Sequence, residues 1–341
     1  MNTLVTLGAQ VIRSQTLGVS VGNPLSLEPE LDVFNDDAFE PIDWAVYQAR
    51  THGLRIFAPL VDNYDYYHGG KFNFLRWRGI NISSETSETQ DPLVQQFYTN
   101  ETIIGDFKRY IEHLLTHVNP YTGLSYAEDP TIFAYSTGNE LGGPTFGDKD
   151  VPAAWIDEIC SYVKELGSHK LCGDGTYGVN ETHLSIESVD FFEDHFYPAN
   201  ITKLEAGIAS VESADRVYIA GEYDWTGNVE SADSLQSFFD VIEDRQNSSN
   251  PVISGDLFWS LFGHDVPDCN NFVNHSDGFT LHYGNPLNTE QNNTQIATIR
   301  QHFFAMQNIS VSDYLPAVPC AGRFADWTYA PGVQDFVAGV Y

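Results

Sequence analysis

Positive charge is scarce in this chain: Lys and Arg number 16 against 47 Asp and Glu, which leaves a formal net charge of −31. A field of that sign repels phosphate backbones and anionic lipid, and so argues against nucleic acid or a membrane surface as a partner. Long apolar runs are missing too, since none approaches the ~20 residues a membrane helix needs. The opening "MNTLVTLGAQVIRSQTLG" has no basic region followed by an apolar stretch, so no signal peptide is read there. Neither a GxGxxG after the first strand-like run nor a P-loop is present, which removes the usual phosphate cradles. HxH and HExxH patterns are absent, "GHD" at residues 263–265 is too short a signal, and the cysteines show no CxxC or Cys/His spacing. No metal and no cofactor is therefore expected. Repeats, low-complexity tracts and linkers rich in Pro, Gly and Ser are lacking as well, and residues 1–341 read as a single domain.

What is present is a globular composition, 42% hydrophobic, with 18 Tyr and 22 Phe. Aromatics at 13% exceed what a core alone tends to need, and some are expected to line a surface such as a sugar-binding cleft. Asn-X-Ser/Thr sequons at Asn81, Asn100, Asn180, Asn200, Asn247, Asn274, Asn292 and Asn308 favour a secreted glycoprotein. Cys160, Cys172, Cys269 and Cys320 fit two disulfides in that compartment; of the three connectivities, 160 with 172 and 269 with 320 is the simplest. Either the protein is intracellular, or the chain begins downstream of its true start; the sequons favour the second, a secreted protein.

Short β-rich runs alternate with amphipathic helical stretches, the signature of parallel α/β architecture. Seven strands are expected at 10–16, 54–63, 131–140, 170–177, 189–198, 216–225 and 252–263. Helices are expected at 39–53, 101–118, 151–167, 231–246 and 293–307, where apolar residues recur at spacings of three and four. Six of the strands end in polar or ionisable residues: Arg13; Asp62 and Asn63; Asn139 and Glu140; Asp174; His195 and Tyr197; Glu222 and Asp224. The seventh ends in Trp259. A (β/α)8 TIM barrel builds its site at those carboxyl ends, and it is favoured here over an open sheet.

Glu140 and Glu222 are the candidates for paired-carboxylate chemistry. Cleaving a glycosidic bond needs one acid to protonate the departing oxygen and a second carboxylate to meet the cationic transition state from the other side of the sugar.

In order, "VIRSQT", "FAYSTGNELGG", "HFYP", "IAGEYDW" and "DLFWSLFGH" resemble the strand-end motifs of glycoside hydrolase family 5 and its clan of retaining (β/α)8 enzymes, over about residues 10–262. The resemblance implies Glu140 as acid/base and Glu222 as nucleophile, so that Glu222 is expected to be ionised, helped by Arg13 and Tyr197, and Glu140 to hold a proton as substrate closing the cleft removes its water beside a negative neighbour. It implies Arg13 beneath the nucleophile, Asn139 on the sugar 2-hydroxyl, His195 near the acid/base, Tyr197 donating to Glu222, and Trp259 as the platform at the cleavage point. "PLVDNYDYYHGGKFNFLRWRG" and "HSDGFTLHYG" look most like the fungal endo-β-1,4-mannanase branch, so that Tyr66, Tyr67, Trp77, Trp225 and His264 would line sugar subsites. The implied partner is a polysaccharide, most closely β-mannan, and the implied state a monomer. Leu141, where many members have Pro, and Tyr135, where Trp is common, depart from the pattern.

The family has a strand and a helix before the strand bearing Arg13, and here about nine residues precede it. A barrel one strand short, from a chain truncated at its amino terminus, is the expectation. The competing readings are a non-catalytic carbohydrate-binding barrel or inactive relative, and a metal-dependent hydrolase on the same fold.

Overall fold

A computed structural model describes residues 1–17, 26–65, 70–82, 92–143, 151–265, 271–275 and 277–318. Seven strands form one parallel sheet in chain order: β1 (Val11–Arg13), β2 (Arg55–Pro59), β3 (Ile132–Ser136), β4 (Leu171–Asp174), β5 (Phe191–Phe196), β6 (Val217–Tyr223) and β7 (Ile253–Asp256). The helices among the described residues are α1 (Asn2–Leu7), α2 (Phe39–Thr51), α3 (Lys71–Trp77), α4 (Gln96–Thr99), α5 (Glu101–Thr116), α6 (Ala153–Leu166), α7 (Ile201–Ser213), α8 (Leu235–Gln246) and α9 (Glu290–Ala305). Strand order without a reversal, with α-helices in the crossovers except β4–β5, which holds the 3-10 turn Glu181–His183, makes this the (β/α)8-barrel architecture, with seven strands described.

Local chemistry explains the elements. In α5, Ile103, Ile104, Phe107, Tyr110, Ile111 and Leu114 fall at helical spacing and are buried, each worth about 1.5–3 kcal/mol of transfer free energy. The Asn100 side chain starts that helix by accepting from the Thr102 N–H, one of the donors a first turn leaves orphaned. The strands are covered on both faces, so they carry apolar residues on both. Outward-facing side chains join the helices in one large core, whereas Phe57, Ala134 and Phe191 form a small inner cluster with Val11, Phe133, Ile219 and Leu257 packed partly buried against it.

That inner layer is open on one side. β1 pairs with β2 and β7 pairs with β6, and between the two outer strands lies a cavity of about 580 Å³. Leu4, Ile12, Phe133, Ile219, Leu257 and Phe303 are among its lining residues.

All seven expected strands are present but shorter at their carboxyl ends. Past the ladder the chain continues through single bridges, Asp62 with Asn139, Leu141 with Thr176 and Asp224 with Trp259, so the polar residues stand just beyond regular pairing. The Cys160–Cys172 disulfide ties α6 to β4. Cys269 and Cys320 lie outside the described residues. No helix among the described residues is long and apolar enough to cross a membrane.

Candidate active site

Glu222 sits on β6 because of a bulge. The β5–β6 register runs Asp194 to Ala220 and then His195 to Glu222, so Gly221 is the extra residue. Side chains alternate along a strand, and the extra residue turns Glu222 to the interior instead of the helix layer. A Cβ at position 221 would stand 2.4 Å from Glu193 Oε2 and 3.1 Å from Glu193 Cβ, so any other residue would displace that side chain.

Glu222 is held on both oxygens. Arg13 Nη1 from β1 donates to Oε1 at 2.5 Å, and the Tyr197 hydroxyl beyond β5 donates to Oε2 at 2.7 Å. Arg13 Nη2 also donates to Asn139 Oδ1 at 2.9 Å, and Asn139 Nδ2 donates to Asp62 Oδ1 at 3.1 Å. One guanidinium therefore joins the ends of β1, β3 and β6, and Asp62 adds β2.

Glu140 follows Asn139 in a left-handed backbone conformation, φ 53°. That region costs a non-glycine residue on the order of 1–3 kcal/mol and clusters at functional sites. Its Oε1 accepts from His195 Nδ1 at 2.7 Å, and its Oε2 accepts from the Tyr64 hydroxyl at 2.5 Å. Burial pushes this carboxyl up, but the donors His195 and Tyr64, with the Arg13 charge, outweigh it and hold it below its ordinary value. In the unliganded protein the surroundings therefore favour the ionised carboxylate, and the loss of water expected on substrate closure would act against these donors. His195 is desolvated, which alone would lower it, yet Glu222, Glu140 and Glu193 raise it to about 10, so it is an imidazolium at neutral pH.

Glu193 was not anticipated. It lies on β5 two residues before His195, on the same inward face, 2% exposed and 3.3 Å from Arg13 Nε. The signal was the period of two in "FFEDHF". Burial raises its pKa but Arg13 and His195 win, and the carboxyl lies below its ordinary value. Lys203 of α7, whose Nζ donates to the His195 carbonyl at 2.6 Å, fixes the end of the same strand.

Glu140, His195 and Glu222 present one ligand atom each within 4.8 Å of one another. That spacing suits a divalent cation, but Arg13, Tyr197 and Tyr64 already engage the carboxylate oxygens. It also brings one oxygen of each carboxyl within 4.8 Å of the other, an approach in keeping with double displacement, for which the carboxyls stand about 5–5.5 Å apart.

The remaining candidates are spread more widely. Trp259 is half-buried, its indole Nε1 donating to Asp277 Oδ2 at 2.6 Å. Trp225 is only 3% exposed and donates to the Phe279 carbonyl at 2.5 Å, so it is a core residue with no ring face to offer, a correction to the subsite assignment. Trp77 closes α3 and packs edge-on against Phe74 at 5.3 Å, in the helix layer. His264 bridges to Phe272 in the segment after β7 and stacks on that ring at 4.3 Å. Tyr66 and Tyr67 lie outside the described residues. Tyr64, bonded to Glu140, is a site aromatic not among the candidates.

The family described as GH family 5 beta-mannosidase-like matches residues 13–230. Among curated proteins, a putative mannan endo-1,4-beta-mannosidase 5 of Oryza sativa subsp. japonica is 32% identical over 48% of this chain and 32% of its own. Mannan endo-1,4-beta-mannosidase 3 of the same organism is 26% identical over 74% of this chain and 62% of its own. The chain thus spans from about a third to under two thirds of these relatives. An endo-1,4-beta-mannanase structure from Rhizomucor miehei aligns with TM-score 0.70 at 23% identity, covering 90% of this chain and 88% of that one. An endo-beta-1,4-mannanase from Thermotoga petrophila aligns with TM-score 0.69 at 22% identity, covering 89% and 72%. At those identities the structures speak to the fold.

Proposed function

Because the chain belongs to the GH family 5 beta-mannosidase-like family, we propose that it is a retaining, endo-acting glycoside hydrolase that cleaves β-1,4-linked mannan. The observation that carries the reading is the pair Glu140 and Glu222, each bound by its own donors, with one oxygen of each within 4.8 Å. The mannan substrate and the endo action follow the relatives' names.

In the first step the Glu222 carboxylate attacks the anomeric carbon, while Glu140 gives a proton to the departing glycosidic oxygen. The carbon–oxygen bond breaks and a glycosyl ester of Glu222 forms. In the second, Glu140 takes a proton from water, which attacks the same carbon and releases Glu222. Arg13 and the Tyr197 hydroxyl keep Glu222 oriented for attack on its two oxygens. Asn139 lies within reach of the sugar 2-hydroxyl, fixed by Arg13 and Asp62. Trp259, anchored through Asp277, is the proposed platform beneath the sugar. Carboxylates alone carry these steps, so chelators should leave the rate unchanged.

The protein is further proposed to be a secreted, monomeric single domain. Purified protein assayed on β-mannan, cellulose, xylan and β-1,3-glucan, with product sizing, tests the reading. Internal cleavage of mannan into short oligosaccharides supports it. Binding without cleavage on every polymer would make the chain a carbohydrate-binding barrel instead.

A further inference from the structure

Both oxygens of Glu140 are occupied in the unliganded protein, by His195 on Oε1 and by Tyr64 on Oε2. An acid that must deliver a proton to a glycosidic oxygen needs one oxygen facing that atom. Oε1 cannot be that one, since His195 lies 4% exposed in the interior, with Glu222 at 3.6 Å and Glu193 at 3.8 Å from its ring nitrogens. The oxygen left to meet substrate is the one Tyr64 holds.

Tyr64 is built to be there. Asn63 N–H donates to the Asn139 carbonyl at 3.0 Å, so the chain after β2 runs beside the residue preceding Glu140. The Tyr64 N–H donates to Asp62 Oδ1 at 3.3 Å, the same oxygen that accepts from Asn139. Asp65 is paired with the Arg76 guanidinium of α3. The chain returns so closely at Gly70 that a Cβ would lie 2.2 Å from the Tyr64 carbonyl oxygen, which only Gly permits. The hydroxyl and the carboxyl it binds are thus mounted on one framework of strand ends.

We infer that Tyr64 is a positioning residue for the acid/base carboxyl: it holds Glu140 Oε2 at the place where the leaving-group oxygen must come, and the glycosidic oxygen displaces it. The inference rests on the reading of Glu140 as acid/base. The charged and titratable groups facing Glu140 are His195 from β5, Glu222 from β6, Arg13 from β1, Tyr197 beyond β5 and Tyr64 itself, with Glu193 deeper. Tyr64 and His195 donate to the ionised carboxylate and so favour it. Removing the Tyr64 hydroxyl raises the Glu140 pKa, and because the acid works protonated, the basic limb of the activity profile moves to higher pH.

The test compares two aryl β-glycosides of the sugar identified by the polysaccharide panel, one with an unactivated phenol and one with dinitrophenol, which departs without a proton. For Tyr64→Phe, kcat/KM on the unactivated substrate should fall about tenfold, the equilibrium equivalent of one hydrogen bond to a charged group. On the dinitrophenyl substrate it should fall less than about twofold, and the basic limb should rise. Equal losses on both substrates, or an unmoved basic limb, overturn the inference, since a merely structural defect would lower both together. Glu140→Ala on the same pair separates the two readings. If its loss does not depend on the leaving group, the acid/base role falls and this inference with it; if it does and Tyr64→Phe behaves otherwise, only Tyr64 is misassigned.

Discussion

The division of labour between the two glutamates is a matter of which donors each one meets. Glu222 faces a guanidinium and a phenol, Glu140 an imidazolium and a phenol. Glu222→Ala should abolish turnover, and azide should restore it only to Glu140→Ala, giving a β-glycosyl azide, since that variant still forms the ester but has no base for water. An α-azide from Glu140→Ala, identified by NMR of the product, would reverse the roles. Gly221→Ala tests the bulge. Its Cβ would collide with Glu193, which is itself pinned beneath Arg13, so the strain reaches Glu222 directly. A kcat at least about tenfold lower, with 1–3 kcal/mol lost in denaturant unfolding as overpacking costs, is expected. Of these residues the sequence displayed Glu140, Glu222, Arg13, His195 and Tyr197, because each is a polar side chain ending an apolar run. Glu193 and Tyr64 were obscured, the first inside a strand and the second among other tyrosines of an irregular segment.

At the scale of elements, strands and long helices were legible because their apolar periodicities are strong. The α7 helix was not read, although "ITKLEAGIASVES" follows Asn200, which caps it by accepting from the Lys203 N–H. The expected strand ends run longer than the ladder because the extended chain continues past it through single bridges. The family resemblance points Trp225 to a sugar subsite, whereas it lies only 3% exposed. One polar contact among elements has a pH signature. His302 of α9 lies between Glu243 of α8 and Asp256 of β7, each 2.8 Å from a ring nitrogen, and Tyr223 of β6 also donates to Asp256. Burial lowers the His302 pKa but the two carboxylates raise it further. A raised folded value contributes stability that is complete below the unfolded value, about 6.5, and is lost as pH rises through the folded one. The melting temperature of His302→Gln should therefore approach that of the parent as pH rises and fall furthest below it in acid. At acid pH the variant should lose about 3 kcal/mol, as when one partner of a buried pair is removed. A pH-independent gap between the two proteins would contradict this.

For the whole molecule, the acidic composition and the parallel sheet with helical crossovers were legible from the start, while the way the sheet's outer strands face one another across a cavity depends on three-dimensional closure. The Arg13 contacts carry a further consequence for the order of assembly. Its bonds to Asn139 and Glu222 bridge 126 and 209 residues of chain. Contacts between such distant residues must bear the entropy of closing very long loops, and they slow folding in proportion to how many are needed. The helices and adjacent strand pairs are local by comparison. In refolding from denaturant, the far-ultraviolet circular dichroism should therefore recover first and hydrolytic activity later, since the guanidinium reaches its carboxylate only once β6 has joined the strands before it. Simultaneous recovery of both signals would mean that the two ends of the sheet meet early.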